Sequence, residues 1–171
     1  MAVRHQLIAA EPSAVWAVLG DPSRYADWVV GTACSAPAEG RWPEVGSSLT
    51  YTVRLGPREF RGRTVVRRHE PPQWLELEAH SGPFGTARIA FDVRSWGDET
   101  LVIVDEHPLR GFAGAVHNIA IDAFLQIRHR DMLARLAKVV ERESRASADP
   151  SAPASSPRHD RSAAGGPKTG R

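Results

Sequence analysis

From residue 49 the chain alternates. Leu49, Tyr51, Val53 and Leu55 share one side, with Thr50, Thr52 and Arg54 on the other. A period of two marks a half-buried strand, and Gly56-Pro57 breaks it and predicts a hairpin. The next run, EFRGRTVVRRH, sets Phe60, Thr64 and Val66 against Arg61, Arg63 and Arg67. In QWLELEAH, Leu75, Leu77 and Ala79 oppose Glu76, Glu78 and His80, and in GTARIAFDVRS, Ala87, Ile89, Phe91 and Val93 oppose Arg88, Asp92 and Arg94. ETLVIVDEH is apolar on both parities, so its inward side stays open. Clean one-sided strands joined by turn signals predict a meandering antiparallel sheet with one face to solvent. The other face needs a cover.

Helical spacing supplies it. Residues 115 to 143 contain no Pro or Gly, and Ile121, Phe124, Leu125, Met132, Leu136 and Val139 form one stripe at 100° per residue. Such a helix spans about 45 Å, enough to cross a sheet. Near the N-terminus AVRHQLIAA reads as a short strand. EPSAVWAVLGDP reads as a helix with Pro12 in its first turn, stopped by Gly20 and Pro22. SRYADWV is a second short helix, capped on this reading by Ser23. The fold class is α+β: an antiparallel sheet wrapped around a long C-terminal helix, with two short helices near the start.

This element order, with AEPSAVWAVLGDPSRYADWV near the start and RHRDMLARLAKVVE near the end, resembles the helix-grip superfamily. That superfamily (SRPBCC, START-like) includes START domains, birch-pollen-allergen-like proteins and the polyketide cyclase/dehydrase family. The likeness covers roughly residues 1 to 144. It implies a cavity between sheet and long helix that takes a small hydrophobic molecule, polyketide- or lipid-like. Members that cyclise or dehydrate polyketides give the enzymatic alternative, and a protein-interaction module without a usable cavity is a second.

Charge shifts the picture only in the tail. Residues 145 to 171 carry five Lys or Arg against Asp149 and Asp160, a net +3, leaving −1 of the chain's +2 for residues 1 to 144. The basicity therefore argues against a nucleic-acid surface on the domain. The tail is rich in Pro, Ser, Ala and Gly and has no Leu, Ile, Val or aromatic residue, which predicts disorder. No apolar run reaches the roughly 18 residues of a membrane span, and no secretory leader is evident, so a cytoplasmic location is expected. The single cysteine, Cys34, reads as a half-buried side chain rather than a reactive thiol.

No catalytic motif appears: the seven histidines are scattered, and none has metal-ligand spacing. Neither a metal nor a cofactor is expected. The candidate ligand-binding residues are Trp28, Tyr51, Val53, Arg68, Leu77, Phe91, Asp105, His107, His117, Ile121, Phe124 and Arg128. Trp28 ends the second short helix and either walls the cavity or plugs the core, whereas Trp16 reads as core. Tyr51 needs a partner for its hydroxyl if buried. Arg68 shares parity with Val66 and so faces inward near a strand end. Arg128 either holds an anionic group by its planar fork or packs its stem and pairs with a carboxylate. His117 sits nearer the rim. In VDEHP, at least one acid or the His must point toward the helix; if Asp105 and His107 do, they form an acid–base pair. RWPEVG, SGPFG and HPLRGFAG are the candidate gates.

Overall fold

A computed structural model describes residues 2–55, 57–81, 85–110 and 119–148. The elements run β1 (Ala2–Ile8), α1 (Pro12–Leu19), a single 3-10 turn (Pro22–Arg24), α2 (Tyr25–Trp28), β2 (Thr32–Glu39), β3 (Ser48–Leu55), β4 (Arg58–Glu70), β5 (Trp74–His80), β6 (Thr86–Trp96), β7 (Glu99–Arg110) and α3 (Ile119–Ala148). The seven strands form one antiparallel sheet in the order β1-β7-β6-β5-β4-β3-β2. Strands β2 to β7 are thus a meander, and β1 returns beside β7. The α+β class read from periodicity is the observed one.

The alternating strands bury the expected side. Leu49, Leu75, Leu77, Phe91 and Val93 join Val102 and Val104 in one core with Met132, Leu133, Leu136 and Val140 of α3. Burying each such aliphatic or aromatic side chain is worth about 1.5–3 kcal/mol. On the opposite face the charges pair across strands: Arg67 with Glu78 at 2.7 Å, Arg88 with Glu76 at 3.2 Å. Arg63 reaches Glu39 on β2.

Four local expectations change. The side-chain cap of this segment is Asp21, at the start of the 3-10 turn that leads into α2, not Ser23: its Oδ1 accepts from the Ser23 backbone N–H at 2.9 Å and the Ser23 hydroxyl at 2.6 Å. β2 is an additional strand, hidden from a periodicity reading because it is an exposed edge interrupted by Pro37. Cys34, expected half-buried, is exposed on that edge. Finally, α3 extends past residue 144 to Ala148, where Arg145 donates back to the Glu141 carbonyl at 3.1 Å. Residues 149–171, read as disordered, lie outside the described residues.

Candidate functional site

The two ends of α2 carry the largest side chains on the inner side. Tyr25 and Trp28 are three residues apart, so one helical turn stacks them on the same face. Both are buried, and their rings meet at 5.1 Å near edge-to-face. Trp28 then stands at 90° to Phe91 of β6, 5.7 Å between centroids, and Tyr25 lies 5.5 Å from Tyr51 of β3. Four rings from three elements form one cluster. Edge-to-face pairs like these add about 0.5–1.5 kcal/mol beyond their area.

Hydroxyls border the cluster. Tyr25 Oη and Thr64 Oγ1 are hydrogen-bonded at 3.1 Å in a fully buried position, and Tyr51 Oη bonds Ser81 Oγ at 2.7 Å. Tyr51 reaches Ser81 because Gly62 lies directly opposite on β4, and its ring covers that glycine. Among the described residues, the buried indole N–H of Trp28 has no hydrogen-bond partner.

Of the residues chosen from sequence, Trp28, Tyr51, Leu77 and Phe91 are buried on the inner face, and Val53 is half-buried against the same core. The ring contacts bring Trp28, Tyr51 and Phe91 into one cluster through Tyr25. Trp16 is only half-buried. It packs on the core, stacks near His69 at 5.7 Å, and donates to the Pro72 carbonyl. His117 and the side chains of Ile121, Phe124 and Arg128 lie outside the described residues.

Arg68 does not face inward. The β4–β5 ladder shifts register between Val66 and Arg68, so Arg67 is an extra residue and the parity beyond it inverts. Arg68 therefore sits opposite Glu76 on the outer face, exposed, with its guanidinium in a fork on Glu70 and 5.1 Å from the Trp74 ring. The Glu70 hydrogen bond raises the Arg68 pKa and lowers that of Glu70. His69 takes the inward place opposite Leu75.

Asp105 and His107 do bond, at 2.9 Å, but on the outer face. Asp105 pairs with Ala90 and His107 with Arg88, whose side chain reaches the outer Glu76. The acid that shares the inner parity of Val102 and Val104 is Glu106, opposite Ile89. This was legible in the β6–β7 turn. With Trp96 and Glu99 paired around Gly97-Asp98, Phe91 must meet Val104 and Ile89 must meet Glu106. Tyr25 and Thr64 were not among the candidates: Tyr25 lies on a helix too short for a periodic signal, and alternation put Thr64 on the inner side beside Val66 without showing that it meets Tyr25. Among the candidate gates, RWPEVG is pinned: Trp42 Nε1 donates to the Leu19 carbonyl at 3.1 Å and Gly46 N–H to Val66 O at 2.9 Å.

Among the described residues, no group of three or more His, Cys, Asp or Glu is placed to hold a metal, and no helix is long and apolar enough to cross a membrane. The site is aromatic, hydroxyl-bordered and, in its ring cluster, uncharged.

Comparison with known proteins agrees with that architecture. No curated protein matches the chain in sequence. Among solved structures, the Zhui aromatase/cyclase from Streptomyces sp. R1128 superposes with a TM-score of 0.65 at 16% identity, covering 85% of this chain and 96% of that one. Ara h 8.0201 gives 0.66 at 8% identity, covering 81% and 95%. The di-domain ARO/CYC StfQ from the steffimycin biosynthetic pathway gives 0.65 at 13% identity, with 85% of this chain matched to 46% of that one. At such identities these likenesses establish the fold. The sequence profile described as "Polyketide cyclase / dehydrase and lipid transport" matches residues 2–141. The chain belongs to the polyketide cyclase/dehydrase and lipid transport family.

Proposed function

We propose that the chain binds a small hydrophobic ligand between the inner face of the sheet and α3. Tyr25, Trp28, Tyr51 and Phe91 would hold it, with Val53 and Leu77 as apolar wall. The observation that carries this reading is the ring cluster bordered by two hydroxyl pairs. Apolar walls with a few placed polar groups are what a ligand site needs to fix orientation. The proposal extends to Ile121, Phe124 and Arg128 of α3, and to His117 just before it.

Native mass spectrometry of the full chain, purified from its own host without organic solvent, tests it. A reproducible extra mass that disappears on denaturation is expected. A clean apo mass, together with no binding of anilinonaphthalene sulfonate to the native protein, would overturn the reading.

A catalytic version, in which the same site cyclises or dehydrates its ligand, draws on Glu106, the acid of β7 with inward parity. It requires Glu106→Gln to abolish turnover while leaving the melting temperature and the ligand mass intact. The outward Asp105–His107 pair is no part of it.

A further inference from the structure

Three tryptophans anchor the short helices and the loop after β2, and two of them satisfy their indole N–H within the backbone. Trp16 donates to Pro72 O, and Trp42 to Leu19 O. Both are only half-buried. Trp28 is 2% exposed, more buried than either, and its N–H has no hydrogen-bond partner among the described residues. A buried donor left unmade is a cost that native folds rarely accept without a use for the group. Trp74 also has an indole N–H without a partner among the described residues, but on the outer face near the Arg68 guanidinium.

We propose that the Trp28 indole N–H is the donor that anchors a neutral carbonyl oxygen of a flat, conjugated ligand. The inference rests on the inner face being a ligand site, as argued above. An indole N–H donates and cannot accept, so the ligand atom facing it must be an acceptor. Among the described residues, the side chains in ring or hydroxyl contact here, those of Tyr25, Tyr51, Thr64 and Phe91, are all uncharged. Directly beside these rings a carboxylate or phosphate would find no counter-charge, so the atom that meets the Trp28 N–H is a neutral acceptor. Trp28 and Phe91 stand perpendicular, and Tyr25 is near-perpendicular to Trp28. Rings in that arrangement favour another planar π-system over a flexible alkyl chain.

The test uses the full chain and a matched pair of probes, acetylnaphthalene and ethylnaphthalene, nearly equal in shape and differing by one carbonyl. Calorimetric titration should show the ketone binding roughly tenfold more tightly, the factor for one hydrogen bond to a neutral acceptor. Trp28→Phe should bring the ketone down to the level of the hydrocarbon, while Trp16→Phe should keep the preference. If Trp28→Phe does not fold, the wild-type indole N–H resonance of Trp28 decides: it should shift downfield with the ketone and not with ethylnaphthalene. Equal binding of the two probes, or a preference that survives Trp28→Phe, overturns the anchoring role and leaves the ligand site standing. Absence of binding by either probe, joined to a clean apo mass, overturns the ligand site itself.

Discussion

Gly62 lies in the middle of β4, where a strand would normally place a side chain that packs. Its vacancy is filled by Tyr51. A Cβ built there would come 2.3 Å from the Tyr51 ring and 2.6 Å from its hydroxyl oxygen. The glycine therefore sets where Tyr51 lies, and through it the bond to Ser81. Gly62→Ala is expected to displace the ring and to destabilise the protein by about 1–3 kcal/mol, in the range for overpacking a filled core. Urea denaturation with an unchanged slope would show it. Alternation alone assigned Tyr51 to the inner side, yet nothing in the spacing of residues 51 and 62 shows that they face each other. That needs the register of the β3–β4 hairpin.

The turn from α1 into α2 positions Tyr25 and Trp28, and its hydrogen bonds fix that entry. Asp21 accepts from both the backbone and the hydroxyl of Ser23. Asp21→Ala is expected to cost about 1 kcal/mol, the usual loss for a cap. Ser23→Ala keeps the Asp21–backbone bond and should cost less. The reverse order in thermal melts would restore Ser23 as the cap. On β4, a single bulge decides which residues face the core: before it Thr64 and Val66 point inward, after it His69 does and Arg68 does not. A two-residue period carried through the bulge mispredicts everything beyond. Parity is a local rule, and an inserted residue resets it without a signature in composition.

Across the whole molecule, the sheet divides its labour by face: an apolar and aromatic side under α3, and an outer side of paired charges. Glu78 shows what the outer side contributes. Its hydrogen bond to Arg67, with the charges of Arg67, His80 and Arg88 behind it, holds the carboxyl below its ordinary value of 4.5. A carboxyl whose pKa is depressed on folding stabilises the fold above that ordinary value and ceases to as pH falls through the lowered one. Wild type should therefore exceed Glu78→Gln in melting temperature near neutrality, with the two curves converging in acid. The difference should stay under about 1 kcal/mol, because Arg67 is half exposed to water and salt. A gap that persists at low pH would mean that Glu78 acts through packing rather than charge.

By itself the chain determined the fold class, the faces of β3, β5 and β6, the covering helix and the family likeness. Each is written in local periodicity, and periodicity is dictated by burying one side of a strand or helix. Met132, Leu136 and Val139, assigned to the helix stripe from spacing alone, are all buried. What only the tertiary structure decided was convergence. The Tyr25–Thr64 bond joins residues 39 apart, and the Trp28–Phe91 contact joins residues further apart still. Such pairs depend on strand register, on the bulge and on the angle at which α2 meets the sheet. These are properties of the closed sheet, where hydrogen-bond geometry couples distant positions, and no window of sequence contains them.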